Sequence, residues 1–372
     1  MKIGIDTFGC EHGRSGIGAY ILSLVKNLPK SSYEFQLFGH ELDKYTYTSN
    51  TDYIDFAGID ISDTKLSEKI WHFKNLNLFI KKQKYDAVIY PAGIELLPPI
   101  FTVPSVLVIQ GLLSSDLNIL TKIGIKRTLK NTAGIISPSK FIQKDLLEYG
   151  VSAENIQVIY NGIDSTLFKP VEDRDSDTVL MQPFSIRKPY IIYASRITKP
   201  EKCHVELIKA FSIFKKKFGT GHRLVIAGSD GDNTEAVHNA VLKSGYSSDI
   251  LLTGYFPHEN LPQLYASADI CIFPSMVEGV GLPVIEAMAC GIPAACASAG
   301  ALPEVAGNAA VFFNPKNPEE IAEVISGLID TDENKERRSE IIKRGLEWVA
   351  RYNWKTTAEQ TLHYLNSIFK KN

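Results

Sequence analysis

Residues 269–293 read DICIFPSMVEGVGLPVIEAMACGIP, and this stretch decides how the chain folds. Its opening, DICIFPS (269–275), has the unbroken apolar character of a buried parallel strand. Pro283, then VIEAMAC, then Gly291 supply the proline-first, glycine-last punctuation of a short helix. The glycine-rich turn between them therefore presents backbone N–H groups at a helix N-terminus, where unpaired donors and the helix dipole both favour an anion. Glu278 and Glu286 stand on either side of that turn, eight positions apart. Two carboxylates so placed suit a ligand with phosphates in its middle and hydroxyl-rich groups at both ends, such as a nucleotide sugar. A plainer reading of each residue stays open: a glutamate in a first helical turn complements the dipole, and a loop glutamate is often merely solvated.

Working outward, short apolar strands alternate with helical periodicity in both halves. KIGID, DAVIY, SVLVI, GIISPS and IQVIY read as strands in the first half; YIIYAS, RLVIAGS, DILLTGY, DICIFPS, IPAACAS and AAVFF do so in the second. The pattern predicts an α/β protein of two doubly wound, Rossmann-like parallel-sheet domains. The stretch FKPVEDRDSDTVLMQPFSIRKP (168–189) is charged, carries three prolines and has no clean period, so residues 169–189 read as a linker. The domains are expected at 1–168 and 190–351.

A chain of 372 residues, 44% hydrophobic and 22% charged, is long enough for two buried cores. Its formal charge of −2 argues against nucleic acid as a partner, since phosphate backbones call for a basic surface. The five cysteines (10, 203, 271, 290, 296) are odd in number and show no C-x-x-C spacing, which points to a reducing, cytoplasmic setting. MKIGID opens without an apolar signal region, and the most apolar internal stretch, IFTVPSVLVIQGLL, is too short to span a bilayer. Lys122, Lys126, Arg127 and Lys130 make a basic face at helical spacing. Such a face is either solvated or a peripheral contact with a membrane surface.

Two further motifs carry chemistry. After KIGID, the string TFGCEHGRSGIGAYILSLVKNL opens an amphipathic helix directly out of a glycine-rich loop. Its glycines run G-x-x-G-x-G, so the dinucleotide fingerprint is absent and an NAD enzyme is disfavoured. In SRITKPEKCHVELIKAF (195–211), Arg196 closes a strand and Lys202 precedes a helix, with Lys199 a rival for the lysine's role. Cations at the C-terminal edge of a parallel sheet can meet a ligand there, Arg through a planar fork and Lys as a point charge.

EGVGLPVIEAMACGIP resembles the E-x7-E signature of the retaining glycosyltransferases of family 4, which have the GT-B fold. SGIGAY, ISPSKFIQKDLLEYGV, IQVIYNGID, LLTGYFPHENLPQLYASADICIFPS and SAGALPEVAGNAAVFFNP are similar to segments of the same family. The resemblance implies two domains facing each other across a cleft, the first on the acceptor side and the second binding the nucleotide sugar, with a C-terminal helix (352–372) returning to the first. It implies donor contacts from Gly16, Gly18, Tyr255, Gly281 and Leu282. Arg196 and Lys202 would neutralise the diphosphate, Glu286 would hold the ribose, and Glu278 would hold the sugar at the reacting centre. No metal and no cofactor are implied. Three positions depart from the pattern: Cys203 stands where Gly or Asn is usual, Val280 where Phe is, and Gln110 where a His commonly reaches the donor.

The reading that follows is a metal-independent, retaining transferase moving a hexose to an acceptor hydroxyl of a glycan or lipid-linked saccharide. GDP-mannose is the leading donor, with UDP-glucose or UDP-N-acetylglucosamine behind it. Two alternatives remain: a nucleotide-sugar epimerase, and a catalytically inactive nucleotide-sugar sensor, to which only Gln110 points.

Overall fold

The computed structural model describes residues 1–49, 54–113, 119–171, 178–181 and 184–369. Two compact units emerge: Met1–Gly162 together with Tyr352–Asn372, and Ile163–Arg351. The first is built on a seven-stranded sheet of β1 (Lys2–Asp6), β2 (Glu34–His40), β3 (Asp55–Ile59), β4 (Ala87–Tyr90), β5 (Ser105–Val108), β6 (Gly134–Ser137) and β7 (Ile156–Val158). Its order is β3-β2-β1-β4-β5-β6-β7. The second holds β10 (Tyr190–Ala194), β11 (Arg223–Ala227), β12 (Ile250–Leu252), β13 (Ile270–Phe273), β14 (Ala294–Ala297) and β15 (Val311–Phe313), in the order β12-β11-β10-β13-β14-β15. Every pairing in both sheets is parallel. Both orders reverse beside their first strand, at β1/β4 and at β10/β13, and in open α/β sheets ligands bind outside the carboxyl ends of the strands at such a reversal.

Alternation along the strands shows that both faces of the first sheet are covered. Ile3, Ile5, Ala87, Ile89, Val106 and Val108 join one core with Tyr20, Ile21, Leu24 and Val25 of the helix Gly16–Asn27. Val88, Tyr90, Leu107 and Ile135 join the other, with Trp71, Ile80, Ile142 and Leu146. Strands buried on both faces read as continuous apolar runs, which is why β4, β5, β6, β10, β13 and β14 stand out in the sequence. The strands β2 and β3 do not. Buried Gln36 interrupts the run of β2; it gives its amide to Asp55 Oδ2 at 2.7 Å and accepts from Tyr85 Oη at 2.8 Å, so its burial is satisfied.

Two boundaries differ from the sequence reading. Residues 163–168 belong with the second unit, where Phe168 lies against Tyr265 with ring centroids 6.3 Å apart. The stretch read as a linker contains an antiparallel hairpin, β8 (Thr178–Met181) and β9 (Phe184–Arg187); its residues 172–177 and 182–183 lie outside the described residues. The helical tail breaks between Val349 and Trp354, and the helix Trp354–Phe369 packs in the first unit's core through Trp354, Ala358, Tyr364 and Leu365. Tyr364 Oη donates to Asn155 O at 2.9 Å and accepts from Ile135 N at 3.2 Å, tying the last helix to β6 and to the turn before β7. Residues 370–372 of the expected C-terminal helix lie outside the described residues.

All five cysteines are free and buried. Lys126, Arg127 and Lys130 are exposed on the helix Ile119–Lys130, with Lys122 half-buried. Among the described residues no helix is long and apolar enough to cross a membrane.

Candidate active site

The second unit places its candidate residues on the two strand ends that flank the order reversal. β10 leads to Arg196 and, through the 3-10 turn Pro200–Lys202, to Lys202. β13 leads to Ser275, Glu278 and the helix Leu282–Ala289. β10 and β13 are neighbours, with Ile191 opposite Ile270, so residues 76 positions apart in sequence converge. Lys202 Nζ lies 2.8 Å from Glu278 Oε2, and buried Ser275 donates to the same oxygen at 3.2 Å. The pair is half-buried, 23% and 16% exposed, so its attraction is less screened than that of a surface pair.

The backbone holds this geometry from three sides. Met276 N donates to Glu201 O at 2.8 Å, joining the two loops directly. Tyr193, fully buried within β10, donates its hydroxyl to Lys202 O at 2.8 Å. Ala301 N donates to Glu278 O at 2.8 Å, and a Cβ on Gly300 would come within 2.9 Å of the Glu278 amide and carbonyl, so the segment after β14 closes on the glutamate. Cys203 now has a physical account. Its φ of 55° lies in the left-handed region, where Gly and Asn are at ease and another residue costs roughly 1–2 kcal/mol. Burial raises its thiol to about 11, so it is inert packing.

His204 follows it, its ring tilted against Tyr193 with centroids 4.8 Å apart. Burial, helped by the Lys202 charge, drops this imidazole to about 4 against the pull of its bond to Ser195 O, so it is neutral near pH 7. His204 thus adds no positive charge to the turn, whose cations are Arg196, Lys199 and Lys202. Arg196 is exposed and donates Nε–H to Ser229 Oγ at 3.2 Å. Lys199 is exposed beside the 3-10 turn, and it is Lys202 that meets Glu278.

Gly281 opens the helix Leu282–Ala289 at φ 71°, and no side chain caps the helix there. Pro283 lacks an N–H and the Val284 amide is spent on Gly281 O, so the amides of Gly281 and Leu282 are the ones left at the N-terminal edge of the helix. Glu286 is 6% exposed and lies in the second turn of this helix. The dipole explanation for it, which needs the first turn, therefore fails. Tyr255 is 59% exposed beside Gly254, whose carbonyl accepts from Gly228 N at 3.1 Å. Val280 is half-buried in the turn.

In the first unit, Gly16 is the first residue of its helix, and a side chain there would meet nothing within 4 Å. Gly18 differs. Its amide donates to Ser15 Oγ at 3.1 Å, a cap that contributes about 1 kcal/mol, and a Cβ on it would collide with Gly13 and the Cys10 carbonyl. Gly18 is needed for packing, so its amide is not open to a diphosphate. Gln110 stands two residues beyond β5 with its Nε2 buried and, among the described residues, without a partner. Sequence reasoning missed Ser275 and Ser229, although both sit where apolar strand runs end in a small polar residue. It also missed one group of metal-ligating type, His40, Asp63 and Glu68.

Residues 14–167 match the family model Glycosyltransferase Family 4, and residues 181–348 match Glycosyl transferases group 1. The chain belongs to glycosyltransferase family 4. Among curated relatives of this family 4 chain, the O-antigen chain mannosyltransferase B of Escherichia coli is 30% identical over 174 residues, 47% of this chain and 45% of that protein. The MMP alpha-(1->4)-mannosyltransferase of Mycolicibacterium hassiacum is 29% identical over 241 residues, 64% of this chain and 54% of that one. The chain thus spans about half the length of these relatives. Sucrose-phosphate synthase from Thermosynechococcus elongatus superposes over 100% of both chains with a TM-score of 0.78 at 19% identity, a likeness of fold: GT-B.

Proposed function

We propose that this family 4 chain is a retaining glycosyltransferase that moves a hexose, mannose first among candidates, from a nucleoside diphosphate sugar to an acceptor hydroxyl of a glycan or lipid-linked saccharide. The observation that carries the reading is the Lys202–Glu278 pair, held beside the helix N-terminus at Gly281 and Leu282 on the strand ends of the order reversal. Lys202, Arg196 and the two amides stabilise the charge that builds on the leaving diphosphate, the kind of term that usually dominates such catalysis. Glu278, released from Lys202 as the diphosphate claims that cation, faces the sugar and the positive anomeric centre. Glu286 accepts from the ribose hydroxyls, and Tyr255 borders the base.

The acceptor oxygen bonds to the anomeric carbon as the bond to the β-phosphate oxygen breaks, and the acceptor proton passes to that phosphate. Retention requires attack on the face the diphosphate leaves, and the diphosphate is the base at hand. Mannose is favoured by the mannosyltransferase relatives; a UDP-hexose is the second choice. The leaving charge is met by side chains and amides, so no divalent cation is needed there.

The test is a panel of nucleotide sugars, following nucleoside diphosphate release and the anomeric proton of the transferred sugar by NMR. GDP release from GDP-mannose with the α anomer kept is expected, at a rate that added Mg²⁺ or Mn²⁺ leaves unchanged. Inversion at the anomeric carbon, or turnover that appears only with the added ion, overturns the mechanism. Tight binding without turnover would favour a sensor, and interconversion of two free nucleotide sugars an epimerase.

A further inference from the structure

The first unit carries a cluster that the transferase reading does not use. His40 ends β2 with its imidazole almost buried; Nε2 lies 3.0 Å from Glu68 Oε1 and 3.7 Å from Asp63 Oδ1. His12, in the glycine-rich loop after β1, brings its own Nε2 to 3.0 Å from the other oxygen of Asp63. Two imidazole nitrogens thus converge on one carboxylate, with a second carboxylate beside them. The ligand atoms of His40, Asp63 and Glu68 all lie within 4.8 Å of one another, close enough for one ion at about 2.0–2.2 Å from each to draw them in.

Three features favour a metal over simple ion pairing. His12 Nδ1 lies 2.7 Å from Asp43, whose carboxylate is 2% exposed; this is the buried partner that orients a metal-bound imidazole and raises its basicity. Phe8 stands edge-on to His40 at 4.8 Å, giving the site an apolar wall, while Asp63 is 55% exposed and leaves a way in from solvent. Glu11 and His12, neither a glycine, both hold left-handed φ angles of 49° and 55°. Such strain costs on the order of 1–3 kcal/mol per residue and persists where the surroundings fix the backbone.

We propose that His12, His40, Asp63 and Glu68 form a four-coordinate site for a divalent transition metal, zinc in type, which ties the glycine-rich loop to β2 and to the start of the helix Lys65–Lys74. Two nitrogens and two carboxylate oxygens suit Zn²⁺ better than Ca²⁺ or Mg²⁺, which prefer six or more oxygens. The role is positional and separate from the diphosphate chemistry of the second unit, so it stands or falls independently of that reading.

The full chain, dialysed against chelator and then free of it, is titrated with Zn²⁺ and, separately, with Co²⁺. One equivalent bound, with the intense visible bands of four-coordinate Co²⁺ and slowed amide exchange across residues 9–16, is the expected result. Asp63→Asn and His40→Ala should each abolish stoichiometric uptake. Asp43→Asn should weaken it by about 10–100-fold, as loss of an orienting partner does. Asp63 is exposed, so its variant keeps the fold, which circular dichroism checks. Failure of the unaltered chain to take up one equivalent, uptake by Asp63→Asn equal to that of the unaltered chain, or unchanged exchange in the loop overturns the proposal.

Discussion

Replacing Lys202 with methionine is expected to lower kcat by about 10²–10³-fold, the loss typical of one preorganised group on a developing anion. The side chain starts on Glu278 at 2.8 Å, and the Lys202 backbone is held by the Tyr193 hydroxyl on its carbonyl, so it acts from an anchored position. Methionine keeps the stem and removes only the charge. Glu278→Gln should also act on kcat, because the positive charge it faces exists only during transfer, whereas Glu286→Ala should chiefly raise the donor KM. The double variant Lys202→Met, Glu278→Gln should lose less than the product of the two single losses, since each single change strands the other partner. Equal, purely KM effects at all three positions would end this division of labour.

The second large effect belongs to Gln110. Its amide nitrogen is buried and has no partner among the described residues, a state that costs roughly 1–3 kcal/mol unless a ligand accepts from it. Gln110→Ala should therefore lose about 10²-fold in kcat while leaving the unfolding midpoint unchanged or slightly raised. A structural glutamine would show the reverse, lower stability with intact turnover. Gln110→His should retain activity and introduce a dependence on a group titrating near pH 6.5, which the unaltered chain lacks at this position. Full-speed transfer by Gln110→Ala would make the side chain a spectator.

What could be read from the chain follows from how burial writes itself into sequence. All six strands of the second sheet were legible as short apolar runs, the central ones, β10, β11, β13 and β14, because burial on both faces leaves such runs unbroken, and the outer β12 and β15 although only partly buried. β2 and β3 were not: Gln36, Gly39 and His40 interrupt β2, its polar side chains finding partners far along the chain, and β3 is a short edge strand with only Phe56 buried. The signature glutamates were legible as a pair; the contact that matters, Lys202 on Glu278, depends on β10 lying beside β13 and has no local sign. The strain at Cys203 was visible only as a departure from a familiar pattern, and its backbone angle explains that departure. The His12, His40, Asp63 and Glu68 group is spread over 57 positions with one ligand per element, so no spacing rule could find it.

The return of the last helix to the first unit bears on the order in which the molecule is made. Trp354, Ala358, Tyr364 and Leu365 form one wall of a core whose other walls, from Ile3 to Ile159, leave the ribosome far earlier. The second unit, Ile163–Arg351, is contiguous and has all its strands before that wall exists. Domains usually complete themselves from the N-terminus onward during synthesis. Here we expect the second unit to close first, while the first waits with apolar surface uncovered until the helix Trp354–Phe369 emerges. Protease challenge of ribosome-bound chains halted near Arg351 should find the second unit resistant and the first cleaved; a resistant first unit at that length would show that it closes without its final helix.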